Sequence, residues 1–223
     1  MELQLILGSW AQFVHETTFD IFGYIKLHWI EFMATIFSLL YLYLEIKEKK
    51  SLWLVGILSS GLFSVVFFNS SFYADFGLNF YYVIISIYGW YNWRGKAMAE
   101  QELPIRNITA TETITLTLIT IGSYLALLAI LLYVPNYFDL ASSAFPYVDA
   151  LLVAASLTAT WMLSQKIVEH WYVWIVVNFI SIGMFGLKDL YFTSTLYAVY
   201  FVGSIIGLST WLKHFKAQTN HHA

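Results

Sequence analysis

The chain has 223 residues, of which 59% are hydrophobic and only 11% charged, with a net charge of −3 and no cysteine. A soluble domain carries roughly 25% charged residues, so this composition excludes a water-soluble globule and points to an integral membrane protein of several spans. The small net charge gives no reason to expect a nucleic-acid partner, and without cysteine neither disulfides nor thiolate metal sites are possible.

Residues 1–27 mix Leu3, Leu5, Ile6, Leu7, Trp10, Phe13 and Phe19 with Gln4, Gln12, His15, Glu16 and Asp20. The uninterrupted apolar run is too short to span, so this segment is expected to lie in the interface. It lacks the basic lead and cleavage site of a signal peptide, and the first span is expected to serve as the insertion signal. Apolar runs near the ~20 residues that a bilayer requires predict spans at 28–46, 52–69, 76–94, 113–134, 148–166, 171–187 and 193–212. The organisation expected is a three-helix bundle over 28–94, a linker with the fourth span over 95–147, a second three-helix bundle over 148–213, and a cytoplasmic tail over 214–223. Pro135 and Pro146 flank the loop after the fourth span.

The two bundles read as copies. Sliding the chain against itself by 118 residues, without a gap, superimposes Ser38 on Ser156, Trp53 on Trp171, Tyr73 on Tyr191, Tyr82 on Tyr200, Ser86 on Ser204, Gly89 on Gly207 and Trp93 on Trp211. Matches at Trp, Tyr and Gly are hard to obtain by chance between two apolar segments. With seven spans, Lys47, Lys49, Lys50, Arg94, Lys96, Arg106, Lys166, Lys213 and Lys216 fall on one side, and only Lys26 and Lys188 on the other. The positive-inside rule then puts the C-terminus in the cytoplasm and the N-terminus outside, and the bundles run in the same direction. The fold class expected is an all-α membrane protein with seven transmembrane helices, arranged as two parallel three-helix bundles joined by a linking helix. In transporters built this way the substrate sits near the midplane between the halves.

Two of the spans carry a polar and aromatic stripe at helical spacing. On the third it is Asn79, Tyr82, Ser86, Trp90 and Trp93; on the seventh, Tyr197, Tyr200, Ser204, Gly207 and Trp211. Such groups are costly in lipid and must face protein or an enclosed cavity. Simple helix packing through Ser and Gly is the plainer account for any one of them. On the sixth span Trp171, Trp174, Asn178 and Ser181 share a face, with Asn178 near mid-membrane and Trp171 at the cytoplasmic end, where interfacial belt residues sit. Glu31 and Asp149 occupy matching outer positions and Asp75 precedes the third span; helix capping or an acidic vestibule would account for them. No basic residue falls deep in a span, so a phosphorylated ligand is disfavoured. The pocket expected is aromatic, lined by amides and hydroxyls, and suited to a flat heteroaromatic ligand, preferably cationic. The histidines are interfacial or terminal, which leaves no metal cluster and no catalytic constellation in view, and no cofactor is expected. No buried acid points to ion coupling, so downhill movement is expected.

His28-Trp29-Ile30-Glu31, Tyr73-Ala74-Asp75 with Leu78-Asn79, the run Ile87-Tyr88-Gly89-Trp90-Tyr91-Asn92-Trp93, and Leu196-Tyr197 resemble the PnuC family of bacterial vitamin transporters over roughly 28–213. The resemblance implies a fold like that of the SWEET sugar transporters, in the bacterial inner membrane. It also implies facilitated uptake of nicotinamide riboside, with a cytoplasmic vitamin kinase trapping the product by phosphorylation. Members similar to it carry thiamine or riboflavin. The segment around Asn79 resembles the thiamine branch, since enterobacterial nicotinamide riboside members tend to have Gln there, and Asn178 stands where many members have Asp. The function expected is uptake of an unphosphorylated vitamin, nicotinamide riboside ranked before thiamine, with a non-transporting vitamin receptor as the alternative from another class. The substrate-binding set expected is Asn79, Tyr82, Ser86, Trp90, Trp93, Trp174, Asn178, Ser181, Tyr197, Tyr200 and Ser204. The expected partners are the vitamin, the lipid bilayer and, functionally, that kinase; a homo-oligomer is left open.

Overall fold

The computed structural model describes residues 21–69, 73–94, 103–138, 143–188 and 191–221. They form seven helices: α1 (Ile21–Ile46), α2 (Leu52–Asn69), α3 (Tyr73–Trp93), α4 (Ala110–Phe138), α5 (Pro146–Ser164), α6 (His170–Leu187) and α7 (Tyr191–His221). Helices α4 to α7 are each long and apolar enough to cross a membrane, while α1 and α2 contribute the apolar stretches Thr35–Ile46 and Leu52–Val66. Within the first bundle α2 packs on both α1 and α3, and within the second α6 packs on both α5 and α7. The bundles meet where α1 lies on α7 and α3 on α5, so six helices close into a ring and α4 stands outside it against α5.

The 118-residue repeat is visible in the backbone itself. Adding 118 to the bounds of α2 gives those of α6, and adding it to the start of α3 gives the start of α7. Both first helices end in the same turn. Glu48 and Lys166, again 118 apart, have left-handed φ values of 53° and 51°. Beyond them Lys49 N–H donates to Leu44 O (2.9 Å) and Ile167 N–H to Met162 O (3.0 Å). These six-residue closures satisfy carbonyls that the helix end leaves free, with a charged residue where glycine is usual.

Some expectations shift at the edges. Helix α1 is already helical at Ile21 rather than beginning at residue 28; the rest of the expected interfacial segment, residues 1–20, lies outside the described residues. Helix α4 continues one turn past Pro135, whose missing N–H costs only one bond so near the end. Residues 214–221, expected as a tail, prolong α7. Helix α4 is started by a reciprocal cap, in which Thr109 N–H donates to Glu112 Oε2 (3.0 Å) and Glu112 N–H to Thr109 Oγ1 (3.2 Å). Just upstream, Arg106 N–H donates to Lys166 O (3.1 Å) and Val168 N–H to Arg106 O (3.0 Å), a short parallel bridge to the turn between α5 and α6.

The buried core gathers at the end of the ring formed by the turns at 47–51 and 165–169. It holds Leu52, Trp53, Trp93, Leu163, Trp171 and Trp211. Each bundle lays one indole flat on a glycine of its last helix: Trp53 on Gly89 and Trp171 on Gly207. A Cβ on either glycine would fall 2.4 Å from an indole carbon, so no other residue fits. Trp171 is therefore a fully buried packing residue, not the interfacial belt residue that its position suggests. Gly207→Ala is expected to destabilise the protein by about 1–3 kcal/mol, the usual cost of overpacking, read as a lowered Tm in detergent. Gly61→Ala, where a Cβ meets nothing within 4 Å, is the control and should leave Tm unchanged or slightly raised. Equal Tm values for the two variants would contradict the packing described here.

Candidate functional site

Where the bundles meet, hydroxyls meet. On the α1–α7 side Ser38 Oγ lies 2.5 Å from the Tyr200 hydroxyl. On the α3–α5 side the Tyr82 hydroxyl bonds to Ser156 and Thr160. These are one interaction seen twice, because Ser156 and Tyr200 are the repeat equivalents of Ser38 and Tyr82. Tyr81 adds a bond from its hydroxyl to Leu157 O (3.0 Å). The seam is thus polar in the middle of apolar helices, where each unmatched hydroxyl would cost several kcal/mol.

Around this seam the structure brings together most of the expected residues. Asn178 is buried and donates from Nδ2 to Ser204 Oγ (3.0 Å); Ser204 in turn donates to Tyr200 O (2.8 Å). Ser181, one turn further along α6, is fully buried, and Asn79 and Ser86 are buried on α3. Tyr197 stacks on Phe185 with centroids 5.0 Å apart and meets Tyr200 edge-on at 5.8 Å. Trp174 sits one turn before Asn178, and its buried indole N–H has no hydrogen-bond partner among the described residues. The indole N–H groups of Trp53 and Trp171 in the core are likewise unpartnered, so what sets Trp174 apart is its place one turn from the Asn178 amide.

Two expected residues lie apart from this group. Trp93 is buried in the core at the turn end, donating from Nε1 to Ser164 O (3.2 Å), edge-on to Trp53 at 5.5 Å and with Lys166 Nζ 4.7 Å from its ring centroid. Trp90 packs against the same core and carries Arg94 over its face at 5.3 Å. They form the floor beneath the seam rather than its wall.

Of the two accounts given for Asp149, its place in the first turn of α5 favours the helix dipole over an acidic vestibule. Lys188 Nζ lies 3.1 and 3.3 Å from its carboxylate oxygens and the Ser143 hydroxyl also donates to it, so its charge is matched locally. The side chains of Glu31 and Asp75 lie outside the described ones. Conversely, the structure buries an acid that the sequence reading did not recognise as buried. Glu45, at the end of α1, lies with Oε1 3.2 Å from Nε2 of His170, which is itself fully enclosed rather than interfacial. His170 Nδ1 is 2.6 Å from Ile167 O, and a carbonyl can only accept, so Nδ1 carries hydrogen. Nearby, Glu48 faces Lys166 at 4.0 Å and bonds His214.

Sequence reasoning missed Ser38, Ser156 and Thr160 on the seam, and this acid–base group beneath it. The coincidence of Ser38 with Ser156 under the 118-residue offset was the available signal for the first pair. No repeat signal existed for Glu45 or His170, whose equivalents are Leu163 and Leu52.

Comparison with known proteins agrees with this geometry. The profile of the family described as nicotinamide mononucleotide transporter matches residues 28–213. The nicotinamide riboside transporter PnuC of Escherichia coli K12 is 29% identical over 212 residues, spanning 85% of this chain and 87% of the relative. The riboflavin/roseoflavin transporter RibM of Streptomyces davaonensis is 23% identical, spanning 82% of this chain and 84% of its own. A crystal structure of the vitamin B3 transporter PnuC superposes with a TM-score of 0.67 at 22% identity, covering 88% of this chain and 86% of that one, a likeness of fold. The chain therefore belongs to the nicotinamide mononucleotide transporter family, that of the PnuC proteins, and is a membrane transporter rather than an enzyme.

Proposed function

We propose that this protein carries an unphosphorylated heteroaromatic vitamin, nicotinamide riboside first, across the bacterial inner membrane in the downhill direction, with a cytoplasmic kinase trapping the product. The observation that carries the reading is the polar, aromatic seam between two repeat-related bundles, with the idle Trp174 donor next to Asn178. A pyridinium ring is held there by aromatic faces, and the ribose by Asn and Ser, while the side chains that gather at the seam itself include no cation to receive a phosphate. The named relatives support the same substrate class, two of them from Escherichia coli and Neisseria mucosa as nicotinamide riboside transporters. Thiamine is a flat cation of similar demands, and the Asn79 segment favours it as the second reading. Nine of the eleven basic residues fall on the side of the turns at 47–51 and 165–169, which supports a cytoplasmic C-terminus.

Calorimetry on purified protein with nicotinamide riboside and thiamine, each beside its phosphate ester, tests the substrate. Binding of one free vitamin and not its ester is expected; preference for an ester would overturn the reading. Asn178→Ala should weaken binding about tenfold, the loss of one hydrogen bond to a ligand, with a monodisperse folded protein retained. Unchanged affinity removes Asn178 from the site. In sealed liposomes labelled vitamin should exchange by counterflow but never accumulate beyond equilibrium; a receptor that does not transport would show no counterflow.

A further inference from the structure

The contacts at the turn end of the ring have a property that the repeat does not predict. Among the described residues, three ion pairs there join one bundle to the other, and their partners are sorted: Glu45 and Glu48 belong to the first bundle, His170, Lys166 and His214 to the second. Glu48 and Lys166 are the same position of the repeat, held in the same left-handed turn, and they face each other across the axis that relates the bundles. An internally symmetric ring would place like residues against each other here. This one has opposite charges.

The inner members of this set are nearly closed to solvent, and His214 at its outer edge is open. Glu45 and His170 are buried, Lys166 is 5% exposed, and beside them Trp211 Nε1 donates to Glu45 O (3.0 Å) while Asn92 and Trp93 donate to Ser164 O. Together with the indoles of Trp53, Trp93, Trp171 and Trp211 they fill the ring between the seam and the turns. A solute at the seam cannot leave by this end until the bundles separate, and separating them breaks each of these bonds. Pairs whose acids all come from one bundle and whose bases all come from the other, made only while the bundles touch, suit a contact that must form and break repeatedly.

We infer that Glu45–His170 and Glu48–Lys166–His214 are the gate at this end of the transport path, and that the structure shows it shut. The inference rests on the proposed path through the seam but not on which vitamin travels along it. The absence of native cysteine allows a direct test. Thr160→Cys places a reporter between the Tyr82 hydroxyl and the gate, and a membrane-impermeant thiol reagent is applied to oriented vesicles from the side on which exposed Lys216→Cys reacts. With the gate intact labelling should be slow. Glu48→Lys or Lys166→Glu alone should speed it by about tenfold, the shift expected from weakening a partly buried pair, and combining the two should restore most of the slow rate. A second reporter, Leu116→Cys, buried between α4 and α5 outside the ring, should stay slow in every background. Single variants as slow as the parent, a swap as fast as the single variants, or parallel acceleration at Leu116→Cys would overturn the gate. Should Lys216→Cys react from the periplasmic side, the proposed orientation falls while the gate is judged by the same rates. The identity of the vitamin is decided separately by binding.

Discussion

Lipid gives helices little hydrophobic reason to prefer one another, so a membrane fold depends on how closely backbones can approach. Here that approach is made by an indole lying on a glycine, once in each bundle: Trp53 on Gly89 and Trp171 on Gly207. The large flat side chain supplies dispersion contact over a wide area, and the glycine removes the only atom that would hold the helices apart. From this pairing follow the packing of α2 on α3 and α6 on α7, the T-shaped contacts to Trp93 and Trp211, and the solid end of the ring. Above it the helices are joined by hydroxyls instead, which leaves room for polar recognition.

The two kinds of joint divide the labour. Tyr–Ser bonds at the seam are neutral, modest in strength and duplicated, so they hold the bundles in register without fixing them. The ion pairs beneath are few and asymmetric, buried at Glu45–His170 and opening to solvent at His214; where such a pair is buried, removing one partner leaves the other polar group without solvent. A transporter needs both, one joint to slide on and one to close.

The sequence made much of this legible because the duplication is ungapped. A single offset of 118 aligned Trp53, Gly89, Tyr82 and Ser86 with their partners, and the bounds of α6 and the start of α7 follow from those of α2 and α3. What stayed hidden was whatever breaks the repeat. Glu45 pairs with His170, yet their equivalents are leucines, and His170 looks interfacial until α1, α6 and α7 converge on it. Trp171 likewise sits where a belt residue would, and only Gly207, more than four turns along α7, lets it pack inward. Among the candidate site residues, Asn178, Ser181 and Ser204 were readable from mid-span polarity, whereas the separation of Trp90 and Trp93 from the rest depends on how far down the ring each stripe runs.

The extended segment 103–109 adds a consequence for the dynamics. Its bridge to the turn at 166–168, the bond from Ile108 N–H to Glu169 and the packing of α4 on α5 all bind the linking helix to one side. Any relative motion of the bundles therefore divides the molecule unequally, into a body of three helices and a body of four. The fourth presents Ile114, Leu118, Ile121 and Leu125 to the surrounding lipid, so the larger body is keeled in the bilayer and the smaller one swings against it.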